Sequence, residues 1–258
     1  MCDLKGRTAL VTGAASGIGA ATAIAFARAG ADVAIGWLPG DPHDIGPVRA
    51  AIEAAGSRAV VNELDVTSTE SVNSFVAAAF KAFGRIDVCV ANAGIARTVP
   101  ALELTDEQWN KIMNVNLLGV WRCFRAVLPH MLDAGYGRLL ATSSVAGTVQ
   151  SWTEHLDYTA SKAGIVGLIK SLAIEVGGRG VTVNAVAPGV IESPQSLDPV
   201  NSLGVEGVAL SGRMNPVGRV GKPQDVAALY RFLASEDAGF INGQLITIDG
   251  GRSLLVND

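Results

Sequence analysis

Short apolar runs and helical stretches follow one another along this chain with few interruptions. The run Thr8-Ala9-Leu10-Val11-Thr12 ends in glycine and leads into an alanine-rich helical stretch over residues 17 to 29. Further strands are predicted near 32 to 36, 58 to 62, 86 to 91, 137 to 143 and 181 to 187, with a last one over residues 244 to 248. Helices are predicted near 44 to 55, 69 to 83, 105 to 133, 155 to 177 and 223 to 234. Parallel strands need crossover connections, usually helices, so this alternation predicts a parallel sheet covered by helices on both faces. About seven strands are expected, in one doubly wound α/β domain over residues 1 to 258. A composition of 49% hydrophobic and 17% charged residues supplies the apolar side chains for such a core.

The least regular stretch is 190 to 216, with Pro194, Pro199, Gly204, Gly207, Gly212 and Pro216. It follows the carboxyl end of a predicted strand, where open α/β sheets bind ligands, and is read as a substrate lid. A net charge of -4 and the absence of a basic stripe argue against nucleic acid as a partner. Cys2, Cys89 and Cys123 have neither disulfide-framework nor zinc-site spacing and read as reduced thiols. With no apolar signal region and no run of about 18 apolar residues, a soluble cytoplasmic protein is expected, away from membranes.

Thr12-Gly13-Ala14-Ala15-Ser16-Gly17-Ile18-Gly19 links the first strand to the first helix. Glycines in that context allow a tight turn, close approach of the backbone to a pyrophosphate, and packing of the helix on the sheet. Amides at the helix start then face the negative charge.

Tyr158 and Lys162 stand four residues apart on a predicted helix, and Ser144 lies one short loop upstream. Positions i and i+4 share a helix face, so an ammonium can favour the ionised form of the phenol. The spacing points to an acid/base tyrosine with a serine beside it.

Over nearly its whole length the chain resembles the short-chain dehydrogenase/reductase family. Besides the glycine turn, the residues that carry the likeness are Ala91-Asn92-Ala93-Gly94, in which alanine replaces the family's first Asn, Asp65-Val66, Asn114-Val115-Asn116-Leu117, Tyr158 with Lys162, Pro188-Gly189 and Ser193. The resemblance implies a Rossmann-like fold and reversible hydride transfer between NAD or NADP and a secondary alcohol or its ketone. It implies Asn116, Ser144, Tyr158 and Lys162 as catalytic residues. Ser144 would hold the substrate oxygen and Tyr158 would move the proton. Lys162 would hold the nicotinamide ribose and lower the tyrosine pKa, and Asn116 would bind a water leading from Lys162 to solvent. Cofactor contacts are implied for Gly13, Ser16, Gly17, Ile18, Gly19, Trp37, Asp65, Val66, Asn92, Ala93, Gly94, Tyr158, Lys162, Pro188, Gly189, Ile191 and Ser193. A homotetramer built on the helices over 105 to 133 and 155 to 177 is implied as well.

At the end of the second strand, Gly36-Trp37-Leu38 supplies neither the acid that repels a 2'-phosphate nor an arginine that binds it. Lacking the repulsive element, the site tilts to NADP over NAD. For a small-molecule substrate, Trp152 and His155 join Ser144 and Tyr158 as candidate contacts, suited to a sugar or polyol. In the alternative, Glu154 and His155 simply open the helix with Asp157 solvated, while Ile95, Ala96, Val190 and the lid shape an apolar pocket for a ketoacyl, steroid or aromatic substrate. A 3-oxoacyl carrier-protein reductase would add a basic docking patch, for which Arg97, Lys111, Arg122 and Arg125 are candidates. A cofactor-binding regulator without catalysis is the reading from another class. His43 and His130 have no partners that would suggest metal or catalysis and are expected to be surface residues, and no metal site is expected.

Overall fold

The structure, a computed structural model, describes residues 3–255, so Cys2 lies outside the described residues. Seven strands form one parallel sheet in the order β3-β2-β1-β4-β5-β6-β7. They are β1 (Thr8–Thr12), β2 (Asp32–Trp37), β3 (Ala59–Glu63), β4 (Val88–Ala91), β5 (Gly137–Thr142), β6 (Val181–Pro188) and β7 (Leu245–Ile248). Every pairing is parallel, with Ala9 to Val11 of β1 opposite Val88 to Val90 of β4. Strand order runs outward in both directions from β1 and β4, so a crevice opens between their carboxyl ends.

The helices are α1 (Gly17–Arg28), α2 (Gly46–Ala54), α3 (Thr69–Phe83), α4 (Asp106–Met113), α5 (Gly119–Ala134), α6 (Leu156–Val176), α7 (Pro194–Leu197), α8 (Gly204–Met214) and α9 (Pro223–Ala234). One apolar cluster packs Phe75 of α3, Phe124 of α5 and Ile165 and Ile169 of α6 on one face of the sheet. A second packs Phe26 of α1 and Tyr230 and Leu233 of α9 on the other. Strands β1, β4, β5 and β6 are buried along their whole lengths, which explains why they read as continuous apolar runs.

Two departures from the sequence reading bear on function. The stretch over 105 to 133 is not one helix: a π turn over Asn114–Leu118 separates α4 from α5. The irregular stretch over 190 to 216 contains α7 and α8, the latter hidden in the sequence by Gly204, Gly207 and Gly212. The other boundaries differ by one or two residues, as when β4 begins at Val88 rather than 86.

Side chains tie the carboxyl edge of the sheet together. Thr142 at the end of β5 donates to Asn92 Oδ1 at 3.0 Å, and its hydroxyl meets the Tyr230 hydroxyl at 2.8 Å. Asn92 donates in turn to the carbonyls of Thr12 and Gly13, so β1, β4, β5 and α9 share one buried polar network.

Candidate active site

The turn after β1 is shaped by what its glycines lack. Gly13 and Gly17 have φ of 61° and 55°, a left-handed backbone that disfavours side chains. A Cβ at Gly19 would lie 2.2 Å from the Gly13 carbonyl oxygen and 2.7 Å from Asn92 Nδ2. A Cβ at Gly13 would lie 2.9 Å from Ala93 Cα, so the turn is pressed against the chain leaving β4. Ser16 is the N-cap of α1 and makes no side-chain cap, leaving the first amides of the helix without a partner from its side chain.

The other residues of the cofactor set lie along the same edge. Asp65 accepts from the amide and hydroxyl of Thr67 at 2.8 and 2.7 Å through a single oxygen. Val66 packs where Gly119 leaves room, a Cβ there falling 2.9 Å from Val66 Cγ2. At the end of β6, Gly189 is held against Asp249, and Ile191 is buried and bridges Gly221. Ser193 caps α7 and lies across from the glycine turn, 3.4 Å separating its Cβ from one built on Gly17. Trp37 ends β2 half-buried, and Leu64 fills the space above Gly36, where a Cβ would come within 2.4 Å of Leu64 Cδ2. These residues fit a dinucleotide: a backbone cradle at a helix start, with room that only glycine leaves.

Ser144, Tyr158 and Lys162 converge at the carboxyl ends of β4 and β5, and all three are buried. Lys162 Nζ donates to the main-chain carbonyl of Thr142 at 2.8 Å and lies 5.6 Å from the centre of the Tyr158 ring. Ser143 donates to the Lys162 carbonyl at 2.8 Å, fixing α6 to the end of β5. The Ser144 hydroxyl accepts from the Ala146 amide at 3.1 Å. A Cβ at Gly94 would lie 3.4 Å from both Lys162 Nζ and Asn116 Oδ1, so a cleft floor runs between them.

The electrostatics differ from the sequence expectation. Burial pushes the Tyr158 phenol up, while Ser144 and Gln195 pull it down through hydrogen bonding, and the lysine does not govern it. Burial also lowers the Lys162 ammonium to about 8. Both follow from one cause: in a dry site the charged form of either group loses its hydration.

Asn116 sits in the π turn and is fully buried. Its Oδ1 accepts from the Ile95 amide at 2.9 Å, and its Nδ2 donates to the Ile95 carbonyl at 2.9 Å and to Ser161 Oγ at 3.1 Å. Both amide hydrogens are therefore used in bracing Ile95 and Ser161.

His155 does not merely open α6, and Asp157 is not solvated; both are buried. The imidazole stacks on Trp152 with centroids 3.8 Å apart, and both rings stand edge-on to Tyr158. Its Nδ1 faces the Thr153 carbonyl at 2.8 Å, and its Nε2 faces the Asn201 carbonyl at 3.3 Å and Thr98 Oγ1 at 3.5 Å. With both nitrogens on protein partners, His155 is fixed in place, and Trp152 packs beside Tyr158. Asp157 caps its neighbour, accepting from the Tyr158 amide at 2.7 Å. His43 meets Asp41 at 2.6 Å, and His130 stacks on the ring of Phe80.

Sequence reasoning missed Gln195, Ser161 and the Thr142 carbonyl. Gln195 lies two positions after Ser193, so its neighbourhood was legible although its contact was not.

The chain matches a family model described as enoyl-(acyl carrier protein) reductase over residues 13–253. It is 39% identical to the 3-oxoacyl-(acyl-carrier-protein) reductase FabG of Thermotoga maritima, over 96% of this chain and 98% of that one. It is 41% identical to D-threitol dehydrogenase of Mycolicibacterium smegmatis, over 97% and 94%. Among solved structures, levodione reductase superposes with a TM-score of 0.91 at 32% identity, covering 98% of this chain and all of that one. The chain belongs to the short-chain dehydrogenase/reductase family of Rossmann-fold, nicotinamide-dependent oxidoreductases.

Proposed function

We propose that the protein interconverts a neutral, hydroxylated secondary alcohol and its ketone, with Ser144, Tyr158, Lys162 and Asn116 as its working residues. The observation that carries this reading is the convergence of Ser144 and Lys162 on Tyr158 at the carboxyl ends of β4 and β5. When bound, the nicotinamide cofactor supplies or accepts the hydride.

Ser144 donates to the substrate oxygen and stabilises the charge that gathers there. Tyr158, held neutral by burial, gives its proton to that oxygen in reduction and takes it back in oxidation. Lys162 is oriented by the Thr142 carbonyl so that its remaining hydrogens face the cleft, where a ribose hydroxyl is its natural acceptor. Asn116 keeps the 95 to 96 segment against α6 and so fixes the cleft floor. Stacked Trp152 and His155 wall one side, and residues 190 to 216 serve as the lid.

Either nicotinamide cofactor is accepted, with NADP bound at least as tightly as NAD, because no carboxylate ends β2 to oppose a 2'-phosphate. The protein acts as a cytoplasmic homotetramer, for which the exposed apolar residues Leu118 and Trp121 near the start of α5 and Ile174 on α6 supply contact area.

The likeness to FabG favours a carrier-bound ketoacyl substrate as a second reading. Of its docking arginines, Arg122 is turned inward, donating to the Val66 and Asn114 carbonyls and to Asn114 Oδ1. A panel of alcohols, polyols, ketones and a 3-oxoacyl thioester, run with NAD and with NADP separately, tests the reading. Turnover confined to the thioester would replace it, and tight preference for NAD would overturn the cofactor assignment.

A further inference from the structure

Three segments of the cleft wall meet at His155, which is 3% exposed where α6 begins. The loop before α6 supplies the Thr153 carbonyl, 2.8 Å from Nδ1. The lid supplies the Asn201 carbonyl, 3.3 Å from Nε2, and the chain after β4 supplies Thr98 Oγ1, 3.5 Å from the same nitrogen. Alongside, the Val99 amide donates to the Glu154 carbonyl at 2.9 Å. Glu154 holds φ of 60°, a backbone conformation that a non-glycine residue keeps only where its surroundings fix it. The Asn201 stretch of the lid thus joins a well-braced loop at one ring nitrogen.

A carbonyl oxygen only accepts, and a neutral imidazole has a single N–H, so the ring can donate to Thr153 or to Asn201 but not to both. The shorter contact claims that hydrogen for Nδ1. The Nε2 lone pair then stands against the Asn201 oxygen, and the Thr98 hydroxyl is the donor that suits it. An imidazolium has N–H at both nitrogens and satisfies both carbonyls at once. The ring therefore has two bonding states: neutral, it belongs to Thr98; charged, it grips the lid.

The groups around it favour having the second state within reach. Trp152 lies flat on the ring, 3° from parallel at 3.8 Å, and an indole face attracts a cation. From α6, Tyr158 stands edge-on at 6.3 Å and Asp157 is buried two residues along. From the lid, Asp198 accepts from the Asn201 side chain at 3.0 Å and from its amide at 3.2 Å. The two loops add Glu154 and Arg97, so three carboxylates and one guanidinium flank the junction.

We infer that His155 is a protonation-dependent latch on the lid: taking up a proton from solvent at Nε2, it bonds Asn201 and holds the cleft closed, and on losing that proton it passes to Thr98 and frees the lid. Closure then binds one proton, so it gains as the pH falls. This rests on the reading of residues 190 to 216 as a lid, and its test needs no substrate, so its failure is separate from any failure to turn over alcohols.

The test is hydrogen–deuterium exchange of the full chain between about pH 5 and 8, the range in which imidazole changes charge. Rates for amides over 198 to 205, divided by the chemical exchange rate at each pH, are compared in wild type, His155→Gln, His155→Phe and Thr98→Val. In wild type this stretch is expected to exchange about tenfold more slowly at the acid end, the worth of one charge-assisted hydrogen bond. His155→Gln, whose amide donor does not titrate, loses the pH dependence. His155→Phe keeps a ring for Trp152 to stack on but has no donor, and its lid exchanges fast at every pH. Thr98→Val removes the donor that favours the neutral ring, so the midpoint moves to higher pH, which loss of mere packing would not cause. Wild-type exchange that ignores pH, the same dependence in His155→Gln, or an unmoved midpoint in Thr98→Val overturns the inference.

Discussion

Lys162 spends one hydrogen bond on the main-chain oxygen of Thr142, at 2.8 Å, and its ammonium nitrogen stands 5.6 Å from the centre of the Tyr158 ring. The pair is close enough for a shared ligand to bridge it. Tyr158→Phe keeps the ring and this spacing while removing the proton. Turnover is expected to fall by about 10² to 10⁴, with cofactor affinity by fluorescence titration nearly unchanged. Near wild-type kcat in this variant would end the assignment.

The pH dependence follows from the raised phenol. Tyr158 is the acid in reduction and, as phenolate, the base in oxidation, so reduction is expected to hold at neutral pH and decline in alkali while oxidation climbs. Ser144 lowers the phenol's pKa. Ser144→Ala therefore moves the oxidation limb to higher pH, and it lowers kcat by about 10²-fold or more through loss of the oxygen's donor. Initial rates in both directions across a pH series check the sign.

Lys162 titrates at about 8 when folded, against an ordinary 10.5. Its folded value is depressed, so between those two pH values the unfolded chain binds the extra proton and stability rises with pH. Lys162→Met removes that contribution. Melting temperature measured from pH 7 to 11 should rise less steeply in the variant, which is also inactive. An identical slope would show that the lysine keeps its charge at no cost.

Gly19→Ala places a Cβ 2.2 Å from the Gly13 carbonyl oxygen, where only backbone can give way. A loss of about 1–3 kcal/mol of stability is expected, together with a weakened grip on either dinucleotide. Chemical denaturation and cofactor titration measure the two effects separately.

The fold was legible because each buried strand is an apolar run bounded by turn residues, as in β1 and β6. Ser144, Tyr158 and Lys162 were legible because helix spacing alone brings two of them to one face. Other features were hidden for physical reasons. Asp157 is buried and His155 stacks on Trp152 at the start of α6, tertiary placements that local sequence does not encode. α8 was masked by three glycines whose helix cost is offset by packing, as where Gly212 lies against Val220. The phenol's upward shift is a burial effect, and spacing on a helix carries no measure of depth.

The π turn over Asn114–Leu118 has a bearing on how this stretch tolerates changes in length. It holds one more residue than a regular turn, and deleting a single residue there would restore the ordinary ladder. The turn absorbs that extra residue, so Phe124 beyond Gly119 would keep its place on the sheet while the amide of Asn116 would be drawn away from Ile95 and Ser161. One codon lost between residues 114 and 118 would thus spare the core and undo the cleft floor.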